Sequence, residues 1–116
     1  MKRFENRLIG IDQGEIVLFS DYENGGSMWS GEGDRTRRHS IRFEEEFRSS
    51  PAVQCALSMW DIDSGTNARV EVSAENISEI GFEVVFRTWA DTHIARARVR
   101  WMAIGEVYHQ EDWELY

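Results

Sequence analysis

Two side chains suited to surface chemistry lie near the ends of predicted strands. If Phe82, Val84 and Phe86 face a core, side-chain alternation places Trp89 on the outward face, where that strand ends. By the same alternation, Arg69 faces away from the core beside its own apolar run. An outward tryptophan and arginine are typical of a binding or subunit surface. A sugar would suit them, because its ring has an apolar C–H face that stacks on tryptophan and hydroxyls that need hydrogen-bond partners.

The same two side chains also allow a purely structural interpretation. Trp89 can close one end of a sandwich of sheets, and Arg69 can pair with an acid such as Asp34 or Asp91. Spacing alone leaves both interpretations open.

Three arginines, Arg96, Arg98 and Arg100, alternate with apolar residues along the last predicted strand. The opposite face of that strand carries Ala95, Ala97, Val99, Trp101 and Ala103. Like charges on one strand face repel, so we expect acidic partners across the sheet or across a subunit interface, with Glu71 and Glu83 as candidates. The alternative is a solvated face.

The sequence predicts no catalytic residue, cofactor or metal. Its three histidines are scattered without the spacing of metal ligands, and the single cysteine, Cys55, can form neither an internal disulfide nor a paired-cysteine metal site. Nucleophile-elbow, phosphate-loop and dinucleotide motifs do not occur. A glycosidase needs two positioned carboxylates, but among 21 acidic residues the presence of two is uninformative. We therefore predict that the protein is not an enzyme.

Composition narrows the class of partner. The chain has 116 residues, of which 41% are hydrophobic and 29% charged, which is enough for one packed domain. A net charge of −8 argues against a general nucleic-acid binder. Neither a signal peptide nor a membrane span is predicted, so we expect synthesis in the cytoplasm without membrane insertion. Activity outside the cell would then require release or association with a particle.

Period-two alternation indicates an all-β protein, an antiparallel β-sandwich in which no helix is expected. We predict a single domain, 1–116, with a core at about 14–105 and an acidic, aromatic tail at 106–116 that could be a strand, a clasp or a frayed end. A long polar, glycine-rich loop is expected at 20–36. The predicted strands are Leu8–Ile11, Glu15–Phe19, Arg38–Phe43, a strand after Pro51 that includes Val53, Cys55, Leu57 and Met59 on one face, 70–74, 82–86 and 93–104.

Five segments, in order, resemble the H-type lectin domain, the type found in snail agglutinin and in the C-terminal part of discoidins. They are GEGDRTRR, IRFEEEFRSSPAV, ALSMWDID, NARVEVSAENISEIGFEVVFRTWADT and VRWMAIG, which all lie within the predicted core at about 14–105. The sequence is also similar to bacterial single-domain members of that family. The resemblance implies a six-stranded antiparallel sandwich that forms trimers, sometimes stacked as hexamers.

The resemblance further implies that galactose or N-acetylgalactosamine binds between neighbouring subunits. By their match to the family motif, Asp34 and Arg69 would bond the sugar hydroxyls from one subunit, and Trp89 would stack from the next. Gly33 would allow close approach of the loop. The family's histidine after the tryptophan is Ala90 here and a later tyrosine is Ala95, so Asp91 or His93 is a candidate replacement.

Two functions therefore compete. The first is a multivalent lectin that recognises galactose-like or other surface glycans for cell adhesion. The second is a structural decoration module of a phage-like particle or surface assembly, in which the sugar site is vestigial.

Overall fold

The computed structural model describes residues 1–110, which contain six strands in two antiparallel sheets, as predicted. One sheet has the order β1-β6-β3 and the other β2-β5-β4. The strands are β1 (Ile9–Phe19), β2 (Arg35–Arg42), β3 (Ala52–Ile62), β4 (Val70–Glu75), β5 (Gly81–Thr88) and β6 (Ile94–Glu106).

The core lies between the inner faces of the two central strands, β5 and β6. Phe82, Val84 and Phe86 are buried on β5, as their alternation predicts, and Ala97, Val99, Trp101 and Ala103 are buried on β6. The rings of Phe82 and Trp101 meet edge to face with centroids 5.5 Å apart, so aromatic contacts join the sheets. Cys55 is half-buried against this cluster, and its burial raises the pKa of the thiol.

The expected break between two N-terminal strands is wrong. Asp12, Gln13 and Gly14 pair with β6 without interruption, so β1 is one strand of 11 residues. A side chain on Gly14 would begin 2.8 Å from the indole nitrogen of Trp101. The glycine therefore makes room for a core tryptophan and does not mark a turn.

The expected loop at 20–36 is shorter and partly helical. It contains two single turns of helix, α1 (Asp21–Asn24) and α2 (Ser27–Ser30), and β2 already begins at Arg35. Asp21, which is buried, joins these parts. Its carboxylate accepts a hydrogen bond from the Met28 N–H at 2.9 Å and pairs with Arg37 at 2.8 Å. This contact across seven residues leaves no periodic pattern in the sequence.

A register shift in β3 changes which face one methionine occupies. Val53, Cys55 and Leu57 pack against the core, as predicted. The shift between Leu57 and Met59 then places Met59 opposite Arg98, in the outward row.

The β6 arginines do find acidic partners within the chain, but not the expected ones. Arg96 pairs with Asp61 at 3.3 Å, whereas Arg98 and Arg100 share Glu15 at 3.6 and 3.0 Å. The expected partners lie on the other sheet, where Glu71 pairs with Arg87 and Glu83 with Arg38. The sequence could not distinguish these acids, since strand order decides which are neighbours.

Glu106 ends β6, and Val107 forms an isolated bridge with Phe47. The last part of the expected tail, 111–116, lies outside the described residues. In the part of the chain that is described, no helix has both the length and the apolar character needed to cross a membrane.

Candidate functional site

Three of the predicted site residues stand in one row across the end of the β2-β5-β4 sheet. The last paired row of that sheet is Arg35, Thr88 and Val70. Asp34, Trp89 and Arg69 are each one residue beyond it. Because neighbouring strands in register keep such residues side by side, one chain brings all three together, and we call them the Trp89 row.

Asp34 and Trp89 line one shallow depression of about 300 Å³ with Thr36 and Arg87. Trp89 is 39% exposed, so a large part of its ring is available to a ligand. The depression combines an aromatic ring, a carboxylate and a guanidinium. These groups can stack on an apolar ring face and hydrogen-bond to hydroxyls. Arg69 lies beside the depression, outside its lining.

Arg69 is held firmly at its place in the row. Its guanidinium forms an ion pair with Asp91, one of the two partners that the structural interpretation allowed. Its backbone N–H donates to Thr92 Oγ1 at 3.1 Å, and its carbonyl accepts from Thr88 Oγ1 at 2.6 Å. Asp91 therefore orients Arg69, and this engagement occupies one of its carboxylate oxygens.

Gly33 sets the backbone path beside Asp34. Its φ of 77° is in the left-handed region, where a side chain is strained, and no atom lies within 4 Å of the position its Cβ would occupy. Its N–H donates to the Ala90 carbonyl at 2.9 Å, which fixes the loop to the turn after Trp89. The open space above Gly33 allows a ligand to approach the backbone.

Arg35 is a residue of this site region that sequence reasoning missed. It is 9% exposed and donates to carbonyls of α2, of Gly33 and of Ala90. One guanidinium therefore connects the loop that carries Asp34 to the turn that carries Trp89. Extending the alternation of Phe43, Ile41 and His39 backward by two steps would have placed Arg35 on the inward face.

The structure shows where the two positions that depart from the family motif, Ala90 and Ala95, lie. Ala90 is exposed with φ 59°, and its carbonyl accepts from Gly33 and Arg35. Ala95 is 7% exposed, on the inner face. His93, proposed as a replacement contact, has its Nδ1 2.7 Å from the Trp29 carbonyl. Both candidate replacements, Asp91 and His93, therefore already have partners within the chain.

An ion-pair network covers the outward face next to the Trp89 row. Arg87 pairs with Glu71 and with Glu75 at 3.5 and 2.9 Å. The pKa of Glu75 is lowered, first by the hydrogen bond from the Ser73 hydroxyl and then by Arg87 and Arg38. Among residues 1–110, no group of three or more histidine, cysteine or acidic side chains is placed to hold a metal ion.

The sequence profile of the H-type lectin domain matches residues 38–104. The chain belongs to the H-type lectin domain family. Membership supports a carbohydrate-binding role and favours a non-enzymatic one.

Two relatives match this chain over different lengths. A Fuscovulum blasticum protein described as ATP synthase subunits region ORF 7 is 51% identical over 107 residues, covering 92% of this chain and 93% of its own. One of the discoidin-1 polypeptides of Dictyostelium discoideum is 31% identical over 75 residues, which is 64% of this chain and 30% of its own.

Two solved structures share the architecture. Discoidin II of Dictyostelium discoideum has a TM-score of 0.76 at 26% identity, and the match covers 93% of this H-type lectin chain and 40% of discoidin II. The tailspike protein gp49 of Pseudomonas phage LKA1 has a TM-score of 0.52 at 13% identity, over 87% of this chain and 15% of its own, which shows the fold alone. This chain thus spans less than half the length of either solved protein.

Proposed function

We propose that this protein is a lectin whose Trp89 row binds a galactose-like or N-acetylgalactosamine-like sugar. The observation that carries the proposal is the strand register, because it aligns Asp34, Trp89 and Arg69 at one sheet end of a chain that belongs to a lectin family. The row offers three complementary kinds of contact directly beyond the end of a sheet, whose strands hold their positions and so help to orient a weakly bound sugar.

Each residue has a distinct role in this proposal. In this proposal the Trp89 ring of the same chain, and not that of the neighbouring subunit as the resemblance implies, stacks on the apolar face of the sugar. The Asp34 carboxylate accepts hydrogen bonds from hydroxyls. Arg69 donates from the guanidinium nitrogens that its pairing with Asp91 leaves available. Gly33 lets the sugar approach the loop backbone. We propose no catalytic group, since the row holds neither a nucleophile beside a base nor a pair of carboxylates in acid–base contact.

A homotrimer, or a hexamer of stacked trimers, is part of the proposal, with a neighbouring subunit closing the second wall of each site. One such contact set corresponds to an affinity near 1 mM, about −4 kcal/mol. Several sites on one particle would raise the apparent affinity for a glycan-coated surface, which suits a role in cell adhesion.

The decisive experiment is a glycan array probed with the wild type, Trp89→Ala and Trp60→Ala. Trp60 is 59% exposed and lies outside the row, so it controls for the loss of a surface tryptophan. We expect the wild type and Trp60→Ala to bind the same glycans, with competition by free sugar. Trp89→Ala should lose the signal while circular dichroism shows an unchanged fold.

Two results would contradict the proposal. One is equal glycan binding by Trp89→Ala and the wild type. The other is that a folded wild-type protein binds no glycan on the array. That result would favour the decoration module and direct the search toward a protein partner.

A further inference from the structure

A second cleft, of about 400 Å³, lies at the same end of the sandwich but on the side of the β1-β6-β3 sheet. None of its lining residues belongs to the depression at the Trp89 row. One wall is formed by Tyr22 and Trp29 of the helical turns, and the other by Asp61 and Asp63 at the end of β3. We call it the Tyr22–Trp29 cleft.

Ring contacts and a hydrogen bond hold the aromatic wall in place. The Tyr22 and Trp29 rings meet edge to face, with centroids 5.1 Å apart and planes at 81°. Trp29 also contacts the His93 ring, and its carbonyl oxygen lies 2.7 Å from His93 Nδ1. Tyr22 is 64% exposed, so a large aromatic surface is open to a ligand instead of being covered by the core. Such a rigid ring pair suits an apolar ring face or a cation.

The charged side chains of the remaining lining are mostly acidic. Glu23, Asp61 and Asp63 face one guanidinium, that of Arg96, which pairs with Asp61. Asp63 accepts a hydrogen bond from the Gly65 N–H at 2.9 Å. Within the described part of the chain, neither Glu23 nor Asp63 forms a salt bridge. Two carboxylates thus remain available to a ligand, and they attract a cation and repel an anion.

We propose that the Tyr22–Trp29 cleft binds an amino sugar, a pyranose that carries a free ammonium group. The aromatic wall stacks on the C–H face of the sugar ring. The carboxylates of Glu23 and Asp63 accept charge-assisted hydrogen bonds from the ammonium group and hydrogen bonds from adjacent hydroxyls. The net charge of −8 adds attraction for cationic ligands. The cleft shares no lining residue with the depression at the Trp89 row, so either can fail without the other, although Ala95, the position of the family's tyrosine, lines the cleft.

The test uses the indole N–H signals of the five tryptophans in a ¹⁵N-labelled chain. Trp29→Phe identifies the Trp29 signal by its disappearance. The wild type is titrated with glucosamine, N-acetylglucosamine and ethanolamine at mildly acidic pH, where both amines carry a charge. N-acetylglucosamine keeps the ring without the charge, and ethanolamine keeps the charge without the ring.

We expect glucosamine to shift the Trp29 signal saturably, with a midpoint of about 1–10 mM, as for a small single-site ligand. The two other probes should bind at least about tenfold more weakly, the equivalent of one lost charge-assisted or stacking contact. The same glucosamine midpoint in Trp89→Ala would show that the cleft acts independently of the row.

A double variant, Glu23→Gln with Asp63→Asn, should raise the glucosamine midpoint about tenfold. Glu79→Gln, which removes an exposed carboxylate outside the cleft, should leave it unchanged. Dispersion of the amide spectrum verifies that each variant is folded. The proposal is overturned by the absence of a saturable Trp29 shift, by equal midpoints for the three probes, or by a wild-type midpoint in the folded double variant.

Discussion

Arg35 is the side chain on which the geometry of the Trp89 row most depends. It is a buried cation that donates hydrogen bonds to the carbonyl oxygens of Ser27, Met28, Gly33 and Ala90. The Ser27 and Ala90 carbonyls also accept from the backbone N–H groups of Gly31 and Gly33. An apolar side chain at position 35 would therefore remove the charged donor from all four carbonyls and leave those of Met28 and Gly33 without it. Its role is therefore to hold the loop and the turn together, and we expect stability and sugar binding to depend on it jointly.

Arg35→Met should lower the free energy of unfolding by about 3 kcal/mol, since one buried and three partly buried hydrogen bonds from a charged donor are lost together. Urea denaturation measures this change. Arg42→Met is the matched control, because Arg42 is exposed on the same strand, and it should change stability by less than about 0.5 kcal/mol. Equal stabilities for the two variants would mean that water replaces the guanidinium without loss.

Single residues show where sequence reasoning succeeds and where it stops. Alternation places Trp89 and Arg69 outward, and the structure finds Trp89 partly exposed and Arg69 at the neighbouring position beyond the sheet. The pairing of Arg69 with Asp91 was one of two alternatives, which only the turn geometry separates. Arg35 was missed because a buried arginine is rare, and its carbonyl partners are brought together by the fold.

At the scale of elements, Gly81 controls how closely β2 and β5 approach. A Cβ at this position would overlap the Ile41 carbonyl oxygen of the facing strand. Gly81→Ala should therefore separate the strands and lower the free energy of unfolding by about 2 kcal/mol. Gly65→Ala, whose Cβ would meet only Asp63 Oδ1 at 3.4 Å, is the control and should remain near wild type. Thermal unfolding compares the two variants. A wild-type melting temperature for Gly81→Ala would show that the ends of β2 and β5 can move apart without a loss of stability.

The ion-pair networks on the outer faces predict a loss of stability in acid. The pKa of Glu75 lies below its ordinary value of 4.5 because the Ser73 hydroxyl and Arg87 stabilise the carboxylate. For Glu15, the Ser58 hydrogen bond, Arg98 and Arg100 have the same effect. Since a lowered folded-state pKa stabilises the fold above the unfolded value, this contribution is lost as pH falls through the folded value.

We therefore expect the melting temperature to decline as pH falls below about 4.5, and to decline less steeply in Glu75→Gln. A pH series of calorimetric scans measures both slopes. Glu79→Gln, an exposed glutamate outside the network, should keep the wild-type slope. If the slope of Glu75→Gln also equals that of the wild type, the pKa of Glu75 does not differ between the folded and the unfolded protein, and the network adds no pH-dependent stability.

The strands were predictable where period-two alternation is uninterrupted, and the rest depended on contacts distant in sequence. β6 follows its alternation closely, whereas in β5 the outward residue Val85 is as buried as its inward neighbours. The fusion of two expected strands into β1 depends on Gly14 facing Trp101, on a strand at the other end of the chain. Likewise, the buried Asp21 carboxylate joins α1 and α2. A β-bulge in β3 determines that Met59 lies in the outward row. No local pattern encodes such contacts.

At the scale of the whole molecule, the β6 arginines bear on how subunits assemble. They already pair with Glu15 and Asp61 inside the chain, so their charge does not require a neighbouring protomer. Exposed apolar side chains on the same sheet, Ile11, Val17 and Met102, provide contact area instead. An interface on this face would thus combine modest apolar burial with arginines whose charges are neutralised within each chain.

The proposed trimer makes a quantitative prediction about avidity. Because linked sites convert later binding events into intramolecular ones, binding to a dense glycan surface should be about 100-fold tighter than binding to the free sugar. Surface plasmon resonance on immobilised glycan, compared with calorimetry on the monosaccharide, measures the ratio, and light scattering gives the assembly state. Trp89→Ala should lose both affinities yet keep the wild-type mass, because its ring contributes to the site and not to assembly. Equal affinities for surface and free sugar, from a particle of monomer mass, would contradict multivalent adhesion while leaving the single site intact.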